Sequence, residues 1–272
     1  MSGESGDGGI RTHECITAHL LSRKAQYHYA TSPDMEIITR RGTIHFMQSS
    51  KVGKYEIWYE NSEEFYELKK EIFGENCYYL ELDSEEPVIV DSGAHIGMSV
   101  VYFKILFPKA RIIAFEPVSA NFELLKKNVT ENQLENVEIY QAVVAPKSGW
   151  LTIQEPIGEG AWKSGAGIIP KGWKGIQDNR EIKVEAVGIQ EILQDKIDLF
   201  KMDIEGMEYE VIRNGGPQIR NVKNWIIEVH PRKDHRALEI QKTLLQNEFK
   251  IEISKDKTNV GKGLMTIKAV LK

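Results

Sequence analysis

The chain has 272 residues, 41% of them apolar, and 35 basic against 40 acidic side chains leave a formal charge of −5. At about 150 residues per domain this allows one to two domains with a sizeable core, which excludes a disulfide-stapled miniprotein and a globally disordered chain. The acidic balance gives no bulk attraction to nucleic acid, no apolar run approaches the roughly 20 residues of a membrane span, and Cys15 and Cys77 form no CxxC pair. A soluble protein of a reducing, cytoplasmic compartment is the expectation.

Residues 1–14, MSGESGDGGIRTHE, hold four glycines and little apolar material, so a disordered leader is expected over 1–35. Ile10-Arg11-Thr12 can be encoded ATT CGA ACC, the reverse complement of a T-loop stretch of a transfer RNA gene. Two readings follow: translation of part of a neighbouring gene, with initiation near Met35, and an ordinary flexible leader. Residues 36–82 read as a small α+β lead-in. EIITRRGTIHFM alternates like a strand with a turn at Gly42, KYEIWYE (54–60) is another, and Ser62 is placed to cap a helix carrying Phe65, Leu68 and Ile72. The lead-in serves as scaffold, with shaping of a substrate entrance as its second role.

From residue 83 to 272, strands alternate with helices. VIVD (88–91), RIIAFEP (111–117), VEIYQAVV (137–144), IDLFKMD (197–203) and NWIIEVH (224–230) read as strands. Between them lie an apolar helix ending before Pro108, a helix that Ser119 can cap, and one from about Gly206 to Arg213. A helix around 234–247 has Leu238, Leu244 and Leu245 on one side, and FKIEIS (249–254) with LMTIKAV (264–270) forms a terminal hairpin. The pattern predicts an α/β fold: a Rossmann-like, doubly wound, mainly parallel sheet with a C-terminal antiparallel hairpin, binding its ligand at the carboxyl ends of the strands.

Four motifs sit at those ends, and a glycine-rich loop is a fifth feature. Asp91-Ser92-Gly93-Ala94-His95-Ile96-Gly97 turns from strand to helix, and its glycines let a nucleotide-like ligand approach the backbone. The glycines of a dinucleotide fingerprint are replaced by Ser92 and Ala94, and Asp91 opposes a polyanion, so a sulfonium amino acid attached to adenosine fits better than a pyrophosphate. Glu116 and Pro117 end the second strand, where a carboxylate accepts ribose hydroxyls, and Ala142 lies where a small residue would flank the adenine. Lys201-Met202-Asp203-Ile204-Glu205-Gly206 closes the fourth strand; two carboxylates one residue apart face opposite ways unless a turn intervenes, and Asp203 is placed in the cleft. Glu228 and His230 end the fifth strand, giving a general base or, with Asp203, a divalent metal site. The glycine-rich stretch 158–175 reads as a mobile lid whose Trp162, Lys163 and Trp173 grip a sugar, a phosphorylated acceptor or a base.

On DSGAHIG, AFEP, KKNVTENQLENVEIYQAVV with Asn128 and Asn132, KMDIEGMEYEVI and IIEVHP, the chain resembles the FkbM family of S-adenosylmethionine-dependent methyltransferases over about 86–254. The resemblance implies a class I methyltransferase fold and S-adenosyl-L-methionine held by Asp91, Gly93, Gly97 and Glu116. It also implies O-methylation of a small-molecule acceptor such as a glycan, a glycosylated metabolite or a polyketide. His95 stands where such motifs often carry Asn. Asp203 or His230 is then the base, with Glu205 and Glu228 orienting it. An RNA methyltransferase and a non-catalytic cofactor-binding regulator are the alternatives.

Overall fold

The computed structural model describes residues 35–40, 43–158, 161–168, 178–230, 236–255 and 264–272. It opens with a three-stranded antiparallel sheet of β1 (Met35–Arg40), β2 (Thr43–Val52) and β3 (Tyr55–Tyr59), followed by α1 (Ser62–Lys69), which continues as a single π turn through Gly74. The cap of α1 is Asn61 and not Ser62. Asn61 has the extended backbone an N-cap requires, and its Oδ1 accepts from the Glu64 amide at 3.2 Å, whereas Ser62 turns away to donate to Gln48.

The chain continues through β4 (Val88–Ser92), α2 (Met98–Leu106), β5 (Arg111–Phe115), α3 (Ser119–Glu131), β6 (Val137–Tyr140), β7 (Val143–Ala145), β8 (Gly149–Ile157) and β9 (Asp178–Gly188). After the single-turn α4 (Ile189–Ile192) come β10 (Ile197–Met202), α5 (Glu208–Gly215), β11 (Val222–Val229), α6 (Arg236–Gln246), β12 (Phe249–Lys255) and β13 (Met265–Leu271). Seven strands form the central sheet in the order β6-β5-β4-β10-β11-β13-β12, parallel except for β13, which inserts antiparallel between β11 and β12. The expected mainly parallel sheet with its terminal hairpin is what forms. Successive strands run outward from β4 to β6 and then return to β10 on the other side of β4. That reversal opens a crevice at the carboxyl ends of β4 and β10.

Four local expectations change. The strand expected over 137–144 breaks at Gln141-Ala142, because the wholly buried run Val143–Ala145 leaves β5 and pairs in parallel with β9. A second sheet, β7-β9-β8, results. Ser119 does not cap α3: Val118 is the cap residue, and the buried Glu116 carboxylate takes its amide at 2.9 Å. The helix expected from Gly206 begins at Glu208, since Gly206 has a φ of 110°. In α6 the buried residues are Ile240 and Leu244, at i,i+4, while Leu238 and Leu245 are exposed, as a 3.6-residue period demands.

Two cores flank the central sheet. One joins Val90, Phe200 and Trp225 to the second sheet, α5 and α6; the other joins Ile89, Ile112, Leu199 and α2 to Ile57, Tyr59 and Phe65 of the first fifty described positions. The β3 edge is fastened to α3 by side chains. Asn128 accepts from the Trp58 amide at 2.7 Å and donates to the Trp58 carbonyl at 3.0 Å, and Asn132 treats Glu56 in the same way at 2.8 and 2.7 Å. One helical turn of four residues rises about 6 Å and two strand residues about 6.8 Å, so the two amides match alternate residues of the strand. The second N–H of Asn128 reaches the Ile96 carbonyl at 2.8 Å, tying this clamp to the glycine turn. No helix among the described residues is long and apolar enough to cross a membrane.

Candidate active site

The crevice holds a cleft of about 730 Å³, partly open to solvent, bordered by Gly93, Ala94 and His95, by Glu116 and Pro117, and by Lys201, Asp203 and Glu205. Its floor is the turn after β4. Gly93 has a φ of +82°, and a Cβ built there would lie 1.8 Å from the Asp203 carbonyl, so only glycine lets β4 and β10 come together. Gly97 has a φ of +88° and faces Leu125, where a Cβ would approach to 2.7 Å. The turn's own amides are engaged: Gly93 and Ala94 donate to the Phe115 carbonyl at 3.0 and 2.9 Å, Gly97 to Ala94 at 2.8 Å, and His95 to Glu116 Oε2 at 2.9 Å.

Glu116 is buried but lines the cleft, and it also accepts from Asn121 at 3.3 Å. Burial pushes its carboxyl up to about 7, against the pull of these donors. Burial holds the His95 imidazole below its ordinary value. Asp91 lies beneath the floor, wholly buried, taking the Ser99 hydroxyl at 2.5 Å and pairing with Lys201 at 3.2 Å. Val143 and Val144 border the cleft, while their neighbour Ala142 is buried without reaching it.

The fourth strand ends at Met202, and Glu205 follows with a φ of 52°. The turn therefore intervenes, and both Asp203 and Glu205 face the cleft. Asp203 is the more open, with its side chain 25% exposed against 12% for Glu205. His230 lies behind them, its Nε2 at 3.3 Å from Glu205 and 3.9 Å from Asp203, and its Nδ1 at 2.8 Å from the buried Glu208. Burial opposes its charge, but Glu205 and Glu208 outweigh that and raise the imidazole well above its ordinary range.

Glu228 accepts the Tyr78 hydroxyl at 2.7 Å, and burial beside Asp203 pushes its carboxyl up to about 8. A carboxyl raised in this way stabilises the fold fully below its ordinary pKa of 4.5 and loses that contribution as pH rises through about 8. Thermal stability of the wild type should therefore fall across this window. Glu228→Gln, neutral throughout and still an acceptor for Tyr78, should show a shallower fall in melting scans taken from acid to mildly alkaline pH. Parallel curves would contradict the assignment.

Single ligand atoms of Asp203, Glu228 and His230 lie within 4.8 Å of one another, the trio singled out as a metal candidate, but the Lys201 ammonium stands 3.7 Å from Asp203. Lys201 and Glu208 fall inside the KMDIEGMEYEVI run, but sequence alone assigned no role at the site to either of them or to Tyr78. The one signal for Lys201 is a lysine set between the apolar Leu199-Phe200 and Met202 of the strand IDLFKM.

The glycine-rich stretch connects β8 to β9, two strands the sequence reading passed over. Its described part, 161–168, is docked and not a free lid. Lys163 pairs with Glu60 at 3.0 Å, the Ser164 amide donates to Glu64 at 2.8 Å, and Gly167 exchanges backbone hydrogen bonds with Gln154 at 2.7 and 3.1 Å. A Cβ on Gly167 would meet Glu205 at 2.3 Å. Lys163 borders the cleft, Trp162 lies beside it in the chain, and Trp173 falls outside the described residues.

The sequence matches the model of the methyltransferase FkbM domain over residues 91–251. It is 29% identical over 173 residues to methyltransferase sdnD of Sordaria araneosa, covering 54% of this chain and 67% of that one. It is 26% identical over 146 residues to the 2-O-methyltransferase NoeI of Sinorhizobium fredii, covering 49 and 59%. Among solved structures, methyltransferase FkbM from Methylobacillus flagellatus superposes with a TM-score of 0.50 at 16% identity, over 70% of this chain and 45% of that one. The chain thus spans about two thirds or less of the length of these relatives.

Proposed function

Because the chain belongs to the methyltransferase FkbM domain family, we propose that it moves a methyl group from S-adenosyl-L-methionine to a hydroxyl of a small-molecule acceptor, with sugars and glycosylated metabolites as the acceptor class. The observation that carries this reading is the cleft itself: a glycine turn at the β4 end, a buried carboxylate at the β5 end and two carboxylates at the β10 end share one crevice. That one relative is a 2-O-methyltransferase supports an oxygen acceptor.

When bound, the cofactor supplies an activated methyl carbon, which leaves the protein to align the acceptor and take its proton. Glu116 receives the ribose hydroxyls, since its oxygens are fixed by three donors and still border the cleft. Gly93, Ala94, His95 and Pro117 form the adjoining wall, with Asp91, Gly97 and Ala142 supporting it from behind. Asp203, the most open acid, accepts the proton beside the carboxylates of Glu205 and Glu228, and His230, held by Glu208, orients Glu205. The ammonium of Lys201 already places positive charge beside Asp203, so Asp203, Glu228 and His230 are assigned to proton handling in preference to a divalent cation. Trp162 and Lys163 flank the acceptor; with Glu60 neutralising Lys163, a neutral polyol suits that side better than a phosphorylated one.

The test is incubation with S-adenosylmethionine and a panel of hydroxylated acceptors, read as release of S-adenosylhomocysteine together with a methylated acceptor mass. Binding of the cofactor with no turnover on any acceptor would favour a regulator. Glu116→Gln should weaken S-adenosylhomocysteine binding by about 1–3 kcal/mol, the range for a lost charged hydrogen bond. An unchanged affinity in titration calorimetry would refute the ribose assignment.

A further inference from the structure

We infer that Lys201 is the residue that receives the carboxylate of the cofactor's amino-acid group, an inference that rests on the S-adenosylmethionine reading. The starting observation is a lysine whose side chain is only 2% exposed and which nevertheless borders the cleft. Lysine carries three N–H donors. One goes to the Gly93 carbonyl at 2.7 Å, while the carboxylates of Asp91 and Asp203 stand at 3.2 and 3.7 Å. Burial opposes the charge, but these acids and Glu228 keep the ammonium above the ordinary lysine value. The group is therefore a fixed cation at the wall of the cleft.

Other partners for an anion are accounted for nearby. The amides of Gly93, Ala94, His95 and Gly97 are all engaged within the protein. His95 is held toward its neutral form by burial, and Lys163, the other lysine bordering the cleft, is paired with Glu60 at 3.0 Å. The spacing along the sheet agrees. β5, with Glu116 beyond its end, and β10, with Lys201, flank β4 on either side, and Lys201 is in register with Asp91 and Ala114. Two strand spacings are about 10 Å, so a ligand with its ribose on Glu116 and an extended thioether chain crossing Gly93 delivers its amino-acid end to Lys201. Glu116 thus reads the nucleoside end, and Lys201 reads whether an amino acid is attached.

Three ligands decide the matter: S-adenosylhomocysteine, its decarboxylated analogue and methylthioadenosine, each titrated against wild type and Lys201→Gln. Glutamine keeps a donor for the Gly93 carbonyl and removes the charge. Wild type should bind S-adenosylhomocysteine about 10- to 100-fold more tightly than the decarboxylated analogue, the usual range for a charge-assisted hydrogen bond. Lys201→Gln should lose that preference while holding methylthioadenosine as before. If the variant weakens all three ligands equally, Lys201 only shapes the turn and the inference falls. Should the variant not fold, the wild-type comparison still decides, because binding without preference for the carboxylate overturns it. Failure of wild type to bind any of the three would instead remove the cofactor reading beneath it.

Discussion

Gly93→Ala is expected to cost several kcal/mol of stability and to abolish cofactor binding. Two penalties combine there. A non-glycine residue in the left-handed region costs about 1–2 kcal/mol, and the new methyl would sit 1.8 Å from the Asp203 carbonyl oxygen, a backbone atom of β10's end that has no rotamer by which to move aside. Overpacking of this kind costs roughly 1–3 kcal/mol more. Gly53, in the β2–β3 turn, is the matched control: its φ is +62° but no atom lies within 4 Å of a built Cβ. Gly53→Ala thus bears only the first penalty. At about 2–4 °C per kcal/mol for a chain approaching this size, differential scanning calorimetry resolves the pair. Equal shifts in the two variants would mean that β4 and β10 can separate freely at this point. Moving the Gly93 carbonyl also releases Lys201, which is why cofactor binding falls together with stability.

The second large effect belongs to Asp203→Asn. Asparagine keeps the size and the acceptor oxygen facing Lys201 but cannot take up a proton. If Asp203 is the base, kcat should drop about 10²–10⁴-fold, the usual worth of a general base, while affinity for S-adenosylhomocysteine stays within a few-fold. Single-turnover rates at saturating acceptor separate these quantities. A drop of less than about tenfold would move the base to Glu205, which faces the same cleft from a left-handed residue beside His230.

Most of the central sheet was legible because its strands are buried on both faces, and runs such as VIVD and IDLF have few other solutions in an α/β chain. Strand ends were legible for the same reason, and with them Asp91, Glu116, Asp203 and Glu228. What escaped notice depended on distant partners. β9 alternates Ile182, Val184 and Ala186 inward with charged residues outward, a readable period of two, but the glycine-rich stretch before it carries no strand pattern to pair with it. Lys201 is set apart in sequence only by its apolar strand neighbours, and its partners Asp91 and Gly93 come from a strand end more than a hundred positions earlier. Tyr78 lies in an irregular segment, and its role exists only because Glu228, 150 positions later, arrives at its hydroxyl. The direction of Glu205 was undecidable from alternation, since a single positive φ reset the count.

The clamp of Asn128 and Asn132 on β3 also bears on association between molecules. β3 is the outer strand of its sheet, and the edge amides and carbonyls of Glu56 and Trp58 are the groups that a strand from another chain would seek. Here those groups are already occupied by two helical side chains. A helix cannot extend a sheet, so the ladder terminates against α3 and the edge is closed to strand addition by a second copy.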